Sequence, residues 1–179
     1  MNRQHRARGF TLIELLTVIG IIGLLVALLF PAIGTARNAA ARARARREMS
    51  SIDSGMRSFR VDYGRFPLQF PLQDGTEDRQ YSGADYVNLI NSLRGNNPTD
   101  NPLRNAYLDV SESSLENGVL LDPWGERYRV AADWSGDNRI SATAMSPHPE
   151  VRGRGVAAWS VGADGESTPR DRHIKSWEN

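Results

Sequence analysis

Hydrophobic and polar positions divide this chain into three stretches. From Leu15 to Ile33 the residues are apolar apart from Thr17 and small glycines, and none is charged. That is about the ~20 residues a helix needs to cross a bilayer. A buried core helix is the plain alternative, but a head this small has no core able to wrap such a helix on all sides. A secretory signal peptide would be shorter and would end at a small-x-small cleavage site. Here the run flows on into alanine- and arginine-rich helix (Ala32 to Arg47), so a membrane-spanning helix is the better reading. In the second stretch Met49, Ile52, Met56, Phe59 and Tyr63 recur at spacings of three and four, an apolar stripe on one helix face. Gly64 suits the C-terminal cap and Pro67 prevents continuation. One helix from Phe10 to Tyr63 would be roughly 80 Å long.

The third stretch carries weaker signals. Residues 74–105 are polar, with one helical patch between Ala84 and Leu93. Its apolar face is Tyr86, Leu89, Ile90 and Leu93, and Gly95 ends it. Asp122-Pro123-Trp124-Gly125 has turn chemistry. Alternation follows at Tyr128, Val130 and Ala132, then at Ile140, Ala142 and Ala144, and Gly155 to Val161 is a third strand candidate. The sum predicts an α+β fold, a long N-terminal helix packed on a small antiparallel sheet.

Charge sharpens this picture. The chain has 179 residues and a net charge of +1, but the balance hides a basic N-terminal third. Arg3, Arg6 and Arg8 precede the apolar run, and Arg37, Arg42, Arg44, Arg46 and Arg47 follow it. The leading arginines favour a cytoplasmic N-terminus, with the later ones competing. Arg42, Arg44 and Arg46 are spaced by two, so they fan around a helix, and no aromatic platform interleaves with them. A solvated or lipid-headgroup collar is favoured over a nucleic-acid surface. The absence of cysteine excludes disulfides, thiolate metal sites and a cysteine nucleophile. The histidines are His5, His148 and His173, the last two in polar, loop-like stretches, which argues against a His-rich catalytic or zinc site. Arg152-Gly153-Arg154-Gly155 lacks the strand-then-helix context of a phosphate loop. Asp109, Glu112 and Glu116 read as a solvated segment. No constellation for catalysis emerges, so the chain is read as a non-enzyme.

Glu14 stands alone at the mouth of the apolar run, where a charge is costly and calls for a partner. Either it reaches the headgroup region, or it pairs with a cation made by processing. Cutting after Gly9 would give Phe10 a positive α-amine four residues before Glu14.

Arg8-Gly9-Phe10-Thr11-Leu12-Ile13-Glu14 closely resembles the leader junction of type IV pilins and type II secretion pseudopilins. The resemblance implies that a prepilin peptidase cuts after Gly9 and methylates the amine of Phe10. It makes Glu14 an assembly residue and Pro31 the helix-kinking proline. Asp122-Pro123-Trp124-Gly125 with Tyr128, Trp159-Ser160-Val161-Gly162-Ala163-Asp164-Gly165, and Ile174-Lys175-Ser176-Trp177 are similar to the motifs of the major pseudopilin, in the same order. Residues 70–118 resemble nothing placed. The implied organisation is a leader over 1–9, a membrane and assembly half-helix over 10–33, an amphipathic half over 34–64 and an α+β head over 65–179.

The implied function is a structural subunit of a type II secretion pseudopilus, polymerised through its hydrophobic helix to drive protein secretion. A type IV pilus subunit, a minor tip pilin and a membrane-anchored binding protein are the alternatives. Implied partners are copies of the chain, prepilin peptidase, minor pseudopilins, the inner-membrane secretion platform and membrane lipid, with no nucleic acid. The implied location is a single-pass protein of the bacterial inner membrane, head in the periplasm. The resemblance also implies calcium in the C-terminal loop, at Val161, Asp164, Glu166 and Asp171. The acids expected before the isoleucine are Arg172 and His173 here, which leaves an intact, a weakened and an absent site all open. Asp133, Ser135 and Asp137 fit the first places of an EF-like loop, but Asn138 replaces its glycine and Ala144 its glutamate, so an ordinary Asp/Asn turn explains them as well.

Overall fold

The computed structural model describes residues 10–69 and 77–178, with Pro31 described by its backbone alone. The chain divides into two compact units, Met1–Ala40 and Ala41–Asn179. Helix α1, Leu12–Tyr63, runs through the described part of the first and into the second.

In the first unit α1 is apolar and unburied. Leu12 is 85% exposed and Ile33 43%, and the large side chains between them are open as well. This segment is long and apolar enough to span a bilayer.

In the second unit the helix is amphipathic, as its three-and-four spacing predicts. Ala45, Met49, Ile52, Met56 and Phe59 are fully buried. Tyr63 is only partly buried; its ring lies 4.4 Å from that of Phe59, and its hydroxyl donates to Asn101 Oδ1 at 2.7 Å. The helix stops at Gly64, whose φ of 68° lets its amide turn back to the Arg60 carbonyl at 2.8 Å. Helix α2, Gly83–Leu93, buries Tyr86, Leu89, Ile90 and Leu93, the four residues of the predicted apolar face.

Four strands form the main sheet: β1 (Arg79–Tyr81), β4 (Arg129–Ala132), β7 (Val156–Ser160) and β8 (Ile174–Lys175), in the order β1-β4-β7-β8 and all antiparallel. Two small hairpins flank it, β2 (Leu115–Glu116) with β3 (Val119–Leu120) and β5 (Arg139–Ile140) with β6 (Val151–Arg152). The α+β expectation therefore holds.

The head is thicker than the sequence suggests. Val130, Ala132, Val156 and Ala158 pack in one core with the α1 stripe and α2. The alternate residues Ala131, Ala157 and Trp159 form a second core with Ile140, Ala144, Met145 and Val151. Alternating residues of a strand point to opposite faces, so both faces of β4 and β7 are covered. The strand expected over Ile140, Ala142 and Ala144 ends at Ile140, and Ala142 is exposed in the turn that follows. Ala144 is buried by that turn, so the apparent period of two did not come from a strand. β1, the β2–β3 hairpin, β6 and β8 were not anticipated. Each has two or three residues, too few for a periodic signal.

Candidate functional site

The N-terminal end of α1 is closed by its own side chains. Thr11 immediately precedes the helix. The Thr11 backbone amide donates to Glu14 Oε2 at 2.9 Å, and its hydroxyl donates to the same oxygen at 2.7 Å. The Glu14 amide donates back to Thr11 Oγ1 at 3.3 Å. This is a reciprocal capping box, and Thr11-x-x-Glu14 was legible as one. The sequence reading gave Glu14 a lipid or intersubunit role and missed the cap. Both residues are exposed, and the Phe10 side chain is 79% exposed. Gly9 lies outside the described residues. Pro31 lies within α1 with helical backbone.

On the head, Asp122 joins two of the motifs singled out above. Its Oδ1 accepts the amides of Trp124 and Glu126, both at 2.9 Å. Its Oδ2 accepts the Ser160 hydroxyl at 2.5 Å, and Ser160 Oγ accepts the Gly162 amide at 3.0 Å. The Asp-Pro-Trp-Gly turn and the Trp-Ser-Val-Gly strand end are thus one hydrogen-bonded unit built on the buried Asp122 and Ser160. Nearby, Tyr128 is fully buried and donates to Glu48 Oε2 at 2.5 Å, which ties the residue just before β4 to α1. Burial, and then the Glu48 carboxylate, hold that phenol well above the usual tyrosine range.

The possible calcium residues are scattered in their engagements. Asp164 is exposed and makes no capping hydrogen bond, Glu166 pairs with Arg129, and Asp171 is exposed between Arg170 and Arg172. Val161 is buried. In the other loop, Asp133 Oδ1 accepts Gly136 N at 2.6 Å and Ser135 Oγ at 3.0 Å, and Oδ2 accepts Asn138 N at 2.9 Å. Asp137 turns to Arg139, at 2.6 Å from its Nη2. Asn138 has φ 62°, the left-handed conformation that asparagine tolerates in turns. These hydrogen bonds are those of an ordinary Asp/Asn turn.

The histidine expectation needs correcting. His148 and His173 come from loop segments, but both are buried, at 4% and 8% exposure. His148 Nε2 lies 3.0 Å from His173 Nδ1, and His173 Nε2 lies 3.0 Å from the Thr168 carbonyl. Burial lowers the pKa of His148 to about 4, helped by His173 and Lys175; burial lowers that of His173 too. No sequence signal pairs two residues so far apart in the chain. A buried ion pair was missed for the same reason: Arg65 Nη1 meets Asp100 Oδ1 at 2.6 Å, with both side chains at least nine-tenths buried.

Comparisons with known proteins agree at both ends of the chain. The family model described as the prokaryotic N-terminal methylation motif matches residues 4–30. Type II secretion system core protein G of Dickeya chrysanthemi is 31% identical over 129 residues, covering 72% of this chain and 71% of that protein. The chain belongs to the type II secretion system core protein G family.

The core protein G of Pseudomonas aeruginosa is 25% identical over 181 residues, the full length of both chains. That of Aeromonas hydrophila is 26% identical over 175 residues, 98% of this chain and 95% of its own. No solved structure gives a significant match. As a core protein G family member, the chain is a pseudopilin, a structural subunit, and its exposed apolar helix is its membrane anchor. Self-assembly and contact with the secretion machinery follow from that membership. For a core protein G chain, the Asp122–Ser160 unit and the Tyr128–Glu48 bond explain why those motif residues occur together: they hold the turn, the sheet and α1 as one body.

Proposed function

We propose that this chain is the repeating subunit of a periplasmic type II secretion pseudopilus, cleaved after Gly9 and N-methylated at Phe10. It enters the inner membrane with its N-terminus in the cytoplasm and its head in the periplasm. Prepilin peptidase trims it, and it then polymerises through residues 10–33 with the secretion platform and minor pseudopilins as partners. No enzymatic activity and no nucleic-acid partner belong to this reading.

The observation that carries it is the first part of α1. Every large apolar side chain from Phe10 to Ile33 is exposed, and Glu14 is the sole charged residue in that span. Such a surface needs lipid around it before assembly and sister helices after it. Gly20, Gly23, Ala27 and Gly34 fall at spacings of three, four and seven, on one helix face. Small residues let helices approach closely in an apolar medium. The Thr11 cap uses Glu14 Oε2 and does not engage Oε1, the oxygen this reading assigns to the Phe10 amine of a neighbour.

Mass spectrometry of the N-terminal peptide from native membranes tests the processing. The expected peptide begins at methylated Phe10. A chain still carrying Met1 to Gly9 in cells with active prepilin peptidase would overturn the reading and leave a plain anchor. Glu14→Ala tests assembly: insertion persists and filament yield collapses. Normal yield would remove Glu14 from the mechanism.

A further inference from the structure

The last segment of the head, from Thr168 to Trp177, has little regular structure to hold it. β8 contributes two residues, paired to β7 through Trp159↔Lys175 and Ser160↔Ile174. Two turns of 3-10 helix, Gly165–Ser167 and Arg170–Arg172, precede it. An extended loop over a small domain needs a fastener. Disulfides are excluded because the chain has no cysteine.

The family resemblance supplies calcium as that fastener, and the residues here do not fit it. Calcium takes six to eight oxygens. The resemblance draws backbone carbonyls from Val161 and Glu166 and carboxylates from Asp164 and the acids before the isoleucine; Asp164 is present and exposed, but Asp171 sits between two arginines. The positions where acids are expected carry the guanidinium of Arg172 and the ring of His173. Among the described residues no three His, Cys, Asp or Glu side chains converge where a metal ion could sit.

What His173 does instead follows from its partners. The Thr168 carbonyl can only accept, so His173 Nε2 must carry the hydrogen that bridges the 3.0 Å between them. A neutral imidazole has one N–H, so His173 Nδ1 holds a lone pair. That lone pair accepts the Nε2–H of His148 across 3.0 Å. The two tautomers are thereby dictated by one backbone carbonyl. The lone pair His173 would offer a metal is already used. His148 is itself clamped: its ring stands edge-on to Trp159 at 5.4 Å and to Trp177 at 5.3 Å, and those two indoles are 5.9 Å apart. The loop after β5 thus reaches across to the C-terminal segment and holds it at His173 by a hydrogen bond and at Trp177 by a ring contact, while His173 ties back to Thr168 within the segment.

We propose that the C-terminal segment is fastened by this relay, His148 to His173 to the Thr168 carbonyl, in place of a bound ion. The relay makes the head's fold independent of calcium. It stands on the head alone and does not depend on how the chain assembles.

The test uses the full chain in detergent micelles, by hydrogen exchange and thermal melting. In wild type, millimolar calcium and chelator give the same melting temperature and the same protection of residues 168–177. His148→Phe keeps an aromatic ring but removes the donor. It loses protection in that segment by about tenfold or more, as expected for a buried acceptor left unsatisfied, while the amides of α2 stay protected. His148→Gln, whose side-chain amide still donates, regains part of the loss. A rise in melting temperature or segment protection with calcium in wild type overturns the proposal, and that arm decides even if His148→Phe fails to fold. Unchanged protection in folded His148→Phe overturns it as well.

Discussion

Ser160 donates its hydroxyl to Asp122 across 2.5 Å, and both residues are buried. The contact spans 38 positions of sequence and closes the turn at Trp124 onto the end of β7. Asp122 also satisfies two backbone amides, so its carboxylate is the single acceptor for three donors. Asp122→Ala leaves these donors unmade and should destabilise the head by at least about 2 kcal/mol. Ser160→Ala removes one donor and the acceptor for Gly162 and should cost less. Denaturant unfolding followed by near-UV circular dichroism measures both; equal costs would contradict the assignment of Asp122 as the hub.

Arg65 and Asp100 form a buried pair, and Asp100 also accepts the Leu68 amide at 3.1 Å. Removing one partner strands the other charge out of water. Asp100→Ala should cost about 3–5 kcal/mol, whereas an apolar replacement of both partners should cost far less. A double-mutant cycle by urea unfolding checks this, and additive costs would show that the two do not act as a pair.

Gly55 separates local propensity from packing. In an exposed helix, Gly→Ala stabilises by about 1 kcal/mol. Here a Cβ would stand 2.8 Å from the Tyr107 carbonyl oxygen. Gly55→Ala should therefore destabilise, by about 1–3 kcal/mol as for other overpacked sites. Gly34 has nothing within 4 Å of the same position, so Gly34→Ala should leave the melting of the head unchanged. Comparing the two melting temperatures tests the claim.

Acid should weaken the head through His148. Its pKa falls from 6.5 in the unfolded chain to about 4 when folded, because burial disfavours the charged ring. The folded state therefore binds fewer protons than the unfolded state between those values. The stabilisation is fully present above pH 6.5 and is lost as the pH falls through 4. The total is about 3 kcal/mol. Unfolding free energies measured down this range should drop with that slope, and His148→Phe should flatten it. An unchanged slope in the variant would assign the acid sensitivity to other groups.

Thr11 and Glu14 can be told apart. Thr11→Val removes the hydroxyl that Glu14 accepts but keeps the carboxylate. If Glu14 acts between subunits, Thr11→Val should retain most of the filament yield while Glu14→Gln loses it. Equal losses in sheared filament fractions would mean that the cap is the whole role of Glu14.

The sequence by itself determined the elements whose signal is local and repeated. The apolar run to Ile33, the stripe from Met49 to Phe59, the stop at Gly64 and the face of α2 all rest on helical spacing or on the conformational freedom of glycine. The leader motif was legible because its residues are contiguous. Tertiary structure alone decided the rest. Ala131 and Ala157 are buried because a second layer covers the sheet, and small residues advertise no partner. Asp122 meets Ser160, Arg65 meets Asp100, and His148 meets His173 because segments far apart in the chain fold back on one another. Polar residues in loop-like sequence look solvated when read in order. Only the closure of the fold removes their water, and that loss is what makes each of these pairs obligatory.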